Sequence, residues 1–368
     1  MSHVLVVRLD NAGDVLLAGP AVRAVAAGAE RVTMVCGPHG AAAGELLPGV
    51  DEVVTWSCPW IDPRPEPVER GHVDQLVDTV RALAPDRALV LTSFHQSPLP
   101  TALLLRLAGV PWVGAASTDY PGSLLDLRHR PPDGLHEVER ALSLVRAAGY
   151  ELPEGDDGRL AVLPPPKPWL PWVASLPWSD DFVVLHPGAS VPARAWPEHR
   201  WTELARLLSE RGRRVVVTGG PGERALTARV AAAYGSGDVV DLGGRTSLGE
   251  LAGVLRAASV VVAANTGPAH LAAAVGTPVA SLFAPTVPFE RWRPWGVPVV
   301  VLGRGDAPCR DTRVTACPFP GHPCLTSVTA NEALQAVESL APQRRPSRSS
   351  PDPLGDGALS QTVPGGMS

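Results

Sequence analysis

Residues 261–290, VVAANTGPAHLAAAVGTPVASLFAPTVPFE, contain one complete strand–turn–helix–strand unit. The apolar β-branched run Val260 to Val262 leads into the turn Asn265, Thr266, Gly267. Gly267-Pro268 opens a short Ala-rich helix, which Gly276 ends, and a second apolar strand, Pro278 to Phe283, runs into Ala284-Pro285-Thr286. Proline fits a first helical turn, where its missing N–H would have had no partner, and glycine fits a helix exit. A helix behind a small-residue turn presents backbone N–H groups and a positive dipole end, a seat for an anion such as a nucleotide diphosphate. Taken alone, the unit is equally an ordinary βαβ crossover.

The alternation extends both ways. Upstream lie apolar strands at 182–187, 213–218 and 238–242, separated by helical stretches at 199–211, 222–233 and 247–258. Downstream come a strand at 298–302 and a helix at 329–340 capped by Thr329. The first half repeats the pattern: strands at 3–9, 31–37, 52–56, 87–93 and 112–116, with helices at 15–28, 41–47, 72–84, 101–109 and 136–150. Pro20 is expected near a first turn, because deeper in a helix it would break a hydrogen bond. Strands alternating with helices predict an α/β fold with parallel, doubly wound sheets. Proline density around 163–180 breaks the pattern, which gives domains at 1–165 and 181–341 joined by a Pro-rich linker at 166–180. The Pro-, Ser- and Gly-rich residues 342–368 read as a disordered tail.

The totals narrow the class. The chain has 368 residues, 45% hydrophobic and 19% charged, with a net charge of −5. That suffices for two full cores and gives no electrostatic case for nucleic acid. No apolar run reaches the ~18 residues of a membrane span, so membrane contact is expected to be at most peripheral. The start, MSHVLVVRLD, lacks a basic n-region and a small-residue cleavage site, and the five cysteines are odd in number. Both point to reduced thiols in the cytoplasm. Cys309, Cys317, His322 and Cys324 lack a CxxC pair, so no metal site is assigned to them.

Two domains of this kind face each other across a cleft at the C-terminal ends of their strands, where ligands of open α/β sheets bind. The architecture suits glycosyltransferases, sugar-nucleotide epimerases and two-lobed binding proteins alike. Gly13 permits close backbone approach after the first strand, and Asp14 is either a base for an attacking hydroxyl or a helix N-cap. His95, in the turn SFHQS, is a candidate on the acceptor side. HPGAS, residues 186–190, can offer N–H groups at Gly188, Ala189 and Ser190 to a phosphate, with Arg194 close enough to add charge. The Gly-rich turn at Gly220 is followed by Glu223, either a ligand for ribose hydroxyls or a solvated residue at a helix start. His270, about one turn into its helix, reads as either structural or ligand-binding.

Together these stretches resemble glycosyltransferase family 9, the ADP-heptose:lipopolysaccharide heptosyltransferases. VVRLDNAGDVLLAGPAVRAV is similar to that family's N-terminal signature, and HPGAS with ARAWPEHRW to its phosphate loop. VVTGGPGE resembles its second Gly-rich turn, NTGPAHLAAAVGTPVASLFAPT its DTGPxHLA box, and CPFPGHPCLTSVTANEAL its C-terminal segment. The resemblance implies a GT-B fold of two Rossmann-like domains, with inverting, metal-independent transfer from a nucleotide diphosphate-sugar, most simply ADP-linked, to a glycan or glycoconjugate. It implies no cofactor. Asp14 matches the base, Arg194 a donor-phosphate cation that is usually lysine, and Glu223 a ribose-binding acid. Thr266, Gly267 and His270, with Pro268 beside them, match diphosphate and sugar contacts, and Ser247 and Leu248 lie where the family cups the base of the nucleotide. One departure stands out: Asn265 occupies the place of the box's aspartate, keeping hydrogen bonds but not charge. The rival readings are a sugar-nucleotide epimerase of the same fold and a non-catalytic binding relative.

Overall fold

A computed structural model describes residues 2–62, 64–164, 181–232 and 238–341. The expected linker at 166–180 and tail at 342–368 lie outside these residues. The first sheet comprises β1 (His3–Arg8), β2 (Arg31–Cys36), β3 (Glu52–Thr55), β4 (Arg87–Val90), β5 (Trp112–Ala116) and β6 (Leu127–His129), in the order β3-β2-β1-β4-β5-β6. The second comprises β7 (Phe182–His186), β8 (Arg214–Val217), β9 (Val239–Asp241), β10 (Val260–Ala264), β11 (Val279–Leu282) and β12 (Val299–Leu302), in the order β12-β11-β10-β7-β8-β9. All pairings are parallel. Counted from its own first strand, each sheet has the same order. In each, the order reverses between the first and fourth strands: β1 and β4, then β7 and β10. The loops after these four strands flank the crevices where such sheets bind ligands.

The central strands β1, β7 and β10 are buried along their whole length. Helices cover both faces, which is why these strands are runs of valine and leucine rather than alternating patterns. In the first half the helices are α1 (Ala12–Leu17), α2 (Gly19–Gly28), α3 (Ala41–Gly44), α4 (Arg70–Leu83), α5 (Leu99–Leu107) and α6 (Glu137–Ala147). In the second they are α7 (Glu198–Glu210), α8 (Arg224–Ala232), α9 (Leu248–Ala257), α10 (Gly267–Ala274), α11 (Phe289–Trp292), α12 (Pro323–Thr326) and α13 (Ala330–Leu340).

The single helix expected over 15–28 is two helices, broken at Ala18. Pro20, which has no N–H and would crowd the Leu16 carbonyl, sits in the first turn of α2 instead. The short edge strand β6 and the one-turn helices α11 and α12 carry no apolar periodicity and were not expected.

The two sheets share a core. One continuous cluster joins Val4, Leu16, Ala21 and Val25 of the first half to Val254, Ala269, Leu271 and Ala272 of the second. At its centre α1 meets α10: a β-carbon on Gly13 would lie 2.9 Å from His270 Cδ2 and 3.4 Å from Gly267 Cα. The segment after β11 also crosses over. His136 Nε2 pairs with the Arg293 carbonyl at 2.9 Å, and Trp295 Nε1 donates to the Gly158 carbonyl at 3.0 Å. Among the described residues no helix is long and apolar enough to cross a membrane.

Candidate active site

A cavity of about 310 Å³ opens where the two switch points face each other. The segments after β1 and β4, including the start of α1, supply Gly13, Asp14 and His95; those after β7 and β10, including the start of α10, supply Ser190, Arg194, Asn265, Thr266, Gly267 and His270. Nine of the residues singled out in the sequence thus line one space.

Asp14 is not an N-cap. Asn11 holds that place, in extended conformation and without a side-chain cap bond, and Asp14 lies within the first turn of α1. Its Oδ1 accepts from Arg8 Nη2 at 3.1 Å and from Trp292 Nε1 at 3.3 Å. Oδ2 accepts no hydrogen bond among the described residues, and the side chain keeps 20% exposure toward the cavity. One oxygen is therefore anchored from both halves of the molecule and the other is left for a ligand proton.

Arg8 is fixed in turn. Its Nε lies 3.0 Å from Asp10 Oδ2, and Nη2 also donates to Ser93 Oγ at 2.8 Å. Gln96 ties in Asp10 Oδ1 at 2.5 Å. Burial works against the Arg8 charge, but Asp10, Asp14 and Glu137 around it raise its proton affinity above the ordinary value. Burial likewise pushes the Asp10 carboxyl up, against Arg8. His95 is neutral: burial, helped by Arg313, pulls it down to about 4.

On the opposite wall, Arg194 ends a one-turn 3-10 helix, Pro192–Arg194. Its Nη1 donates to the Asn265 carbonyl at 3.1 Å, joining the loops after β7 and β10, while Nε is buried with no partner among the described residues. Burial lowers its pKa and Asp14 opposes this; a guanidinium stays charged regardless. The Asn265 amide bonds Ala284 in both directions: Oδ1 accepts from Ala284 N at 3.3 Å, and Nδ2 donates to Ala284 O at 3.5 Å. An aspartate could accept but not donate there, so the amide serves to tie the ends of β10 and β11.

The backbone donors differ from expectation. Of the N–H groups at 266–268, that of Thr266 donates to Ala264 O at 2.8 Å and Pro268 has none, so Gly267 alone is open. The Thr266 hydroxyl also turns to Ala264 O instead of capping α10. The N–H groups of Gly188, Ala189 and Ser190 donate to nothing among the described residues. His270 is buried, with Nδ1 unpartnered, and burial holds it down to about 4 despite Asp14.

Gly188, Gly220 and Glu223 form a neighbouring cluster behind Ser190. Glu223 Oε2 accepts from Gly220 N at 2.7 Å, and a β-carbon on Gly188 would overlap the carboxylate. Ser247 and Leu248 open α9, where the Ser247 hydroxyl accepts from Glu250 N at 3.2 Å as a cap. These residues, with Ala189 and Pro268, are not among those lining the cavity.

Sequence reasoning missed Arg8, Asp10, Ser93, Gln96, Trp292 and Arg313. Only Arg8 carried a signal: a charge at the end of an otherwise apolar strand whose both faces are covered is rarely left unpaired.

Residues 74–322 match the family model of glycosyltransferase family 9 (heptosyltransferase). The chain is 28% identical over 219 residues to lipopolysaccharide heptosyltransferase 3 of Escherichia coli K12, covering 59% of this chain and 63% of that one. It is 37% identical over 194 residues to lipopolysaccharide heptosyltransferase 1 of Pseudomonas aeruginosa, covering 50% of each. The matched stretch thus spans less than two thirds of either relative. An E. coli heptosyltransferase solved with ADP-2-deoxy-2-fluoro heptose superposes with a TM-score of 0.68 at 23% identity, covering 92% of this chain and all of that one. At that identity the likeness speaks for the fold, which is GT-B as expected.

Proposed function

The chain belongs to glycosyltransferase family 9, and from that premise we propose that it transfers a heptose or related sugar from an ADP-linked donor to a hydroxyl of a glycan or glycoconjugate. The observation that carries this reading is the placement of the Asp14 carboxylate and the Arg194 guanidinium on opposite walls of one cavity. The first can take a proton and the second can hold a phosphate.

In this mechanism the donor lies along the second sheet. Its diphosphate meets the N–H groups at 188–190, the open N–H of Gly267 and Arg194, and Glu223 takes the ribose hydroxyls. The acceptor hydroxyl gives its proton to Asp14 Oδ2 as its oxygen attacks the anomeric carbon. The bond from that carbon to the diphosphate oxygen breaks, and the diphosphate leaves with the electron pair. Attack from the Asp14 side, opposite the leaving group, inverts the anomeric configuration. The growing negative charge is met by Arg194 and the backbone donors, which are already oriented and need no metal ion for that task. The names of the relatives make a lipopolysaccharide core the first acceptor to try.

The test is Asp14→Asn, assayed by ADP release from ADP-heptose with lipopolysaccharide from a heptose-deficient strain. Transfer should fall by about 10²–10⁴ while ADP binding is little changed. Unchanged turnover would remove Asp14 from the role of base.

A further inference from the structure

Glu137 is the first residue of α6, directly after the N-cap His136, and it is 3% exposed. Neither carboxyl oxygen has a hydrogen-bond donor among the described residues. Its closest charge is Arg8, whose Nη1 lies 3.8 Å from Oε2. The same guanidinium hydrogen-bonds Asp14 through Nη2, and its Nε lies 3.0 Å from Asp10 Oδ2 as an ion contact without a hydrogen bond. One buried cation is thus shared by three carboxyl groups on three segments; Asp10 and Asp14 line the reaction cavity and Glu137 does not.

An isolated carboxylate this deep would be costly to keep, and its desolvation is repaid only by good pairing. The long 3.8 Å contact, made by a nitrogen whose neighbours on the same guanidinium are closely paired, is poor pairing. The groups facing Glu137 are Arg8 from β1, Asp10 from the loop after it, Asp14 from α1 and Arg140 from α6 itself. The Thr92 hydroxyl, after β4, lines the same small chamber of about 10 Å³. Arg140 is in turn offset by Arg291 and drawn by Asp133. The neighbouring His136 is turned away, toward the Val138 N–H and the Arg293 carbonyl.

We infer that Glu137 is a positioning residue for the transfer reaction: its charge sets how the Arg8 guanidinium divides its hold between Asp10 and Asp14. This rests on the proposed role of Asp14 as base. With Glu137 neutral, Arg8 answers to two carboxylates and grips Asp14 Oδ1 firmly. With Glu137 ionised, a third carboxylate draws on the same cation, the grip on Asp14 loosens, and Asp14 is freer to accept the proton of the acceptor hydroxyl. Glu137 touches neither substrate and transfers no proton. Burial, with Asp14 and Asp10 adding to it, pushes its carboxyl up to about 7 against Arg8 and Arg140, so the change falls at neutral pH. Transfer should therefore rise as pH passes upward through that point.

The experiment labels aspartate carboxyl carbons with ¹³C in the full chain and follows the Asp14 resonance, identified by its loss in Asp14→Asn, across neutral pH. In the wild type the resonance should show an inflection near pH 7, where Glu137 ionises. Glu137→Gln, which keeps the shape but cannot ionise, should abolish it, and Glu137→Asp should retain an inflection. In parallel, Glu137→Gln should flatten the acid limb of ADP release and lower kcat about three- to tenfold on its alkaline side, with KM for ADP-heptose unchanged. A wild-type Asp14 resonance that is flat through neutral pH overturns the inference even if the glutamine variant does not fold. So does an inflection that survives in Glu137→Gln. The resonance is read without an acceptor, so a failure of lipopolysaccharide to react counts against the proposed function and leaves this result to stand or fall separately.

Discussion

Replacing Gly13 by alanine probes the contact on which the site is built. By helix propensity alone the change is favourable by roughly 0.5–1 kcal/mol, because glycine inside a helix loses more backbone freedom. The structure opposes it. The new methyl would sit 2.9 Å from His270 Cδ2 and 3.4 Å from Gly267 Cα. Unbonded carbons rest about 3.5–4.0 Å apart, so α1 and α10 must separate by roughly 0.6 Å or more. The imidazole is 5% exposed and cannot swing aside. Overpacking of this kind costs about 1–3 kcal/mol, so the clash should outweigh the propensity gain and leave a net loss of about 1–2 kcal/mol. The same displacement moves Asp14, the next residue, away from Arg194, and misplacements near 1 Å cost about 10²-fold in rate. Thermal unfolding and ADP release should therefore both fall. Gly13→Ala combined with His270→Ala should recover about 1 kcal/mol relative to the sum of the single changes, since the clashing ring is gone. A Gly13→Ala protein that melts and turns over like the wild type, or a double variant with purely additive losses, would refute the reasoning.

Three further outcomes follow from the geometry. Trp292→Phe removes one of the two donors to Asp14 Oδ1; kcat should drop several-fold with KM for ADP-heptose unchanged, and an unaltered kcat means the indole is only packing. Gly188→Ala drives a methyl into the Glu223 carboxylate; if that carboxylate holds ribose, calorimetry should give about tenfold weaker ADP binding, or about 1.4 kcal/mol. His270 is held down to about 4 from an ordinary 6.5, chiefly by burial, and His186 is shifted the same way. The unfolded chain takes up these protons first as pH falls, so stability is full above about 6.5 and is lost toward 4, by up to about 3 kcal/mol for His270. Because Glu137, raised to about 7, acts with the opposite sign over this range, the melting temperature should fall less between pH 7 and pH 5 in His270→Gln than in the wild type, and an equal fall in the two would contradict that sign.

What could be read from the chain beforehand follows from what is local. The strands at β1, β7 and β10 are legible because burial on both faces leaves unbroken valine-rich runs. The turns after them are legible because glycine and proline mark them. Once the order of strands is known, Gly13, Asp14, Arg194 and His270 fall into one cavity without further information. The break between α1 and α2 was not foreseen: Pro20 was expected near the first turn of a single helix, and the split lies at Ala18, where composition is silent. Asp14 looked like a cap because the stretch before it is a turn, and only the position of Asn11 shows otherwise. Trp292 could not be found at all. It lies 278 residues from Asp14, and its role depends on how the second half folds back over the first. The Arg8–Glu137 contact is of the same kind, a pairing across 129 residues with no motif at the Glu137 end.

The meeting of α1 with α10 has a mechanical consequence. It behaves as the rivet of a pair of scissors. Any rocking of one half against the other about this point displaces atoms in proportion to their distance from it. Residues at the mouth, farther from the rivet, would swing most, opening a path for a bulky nucleotide, whereas Trp292, bonded to Asp14, would move little. The groups beside the rivet, Asp14 on one blade and Gly267 on the other, would scarcely change their separation. Entry and exit of ligands can therefore use wide motion at the mouth while the reacting atoms stay in register.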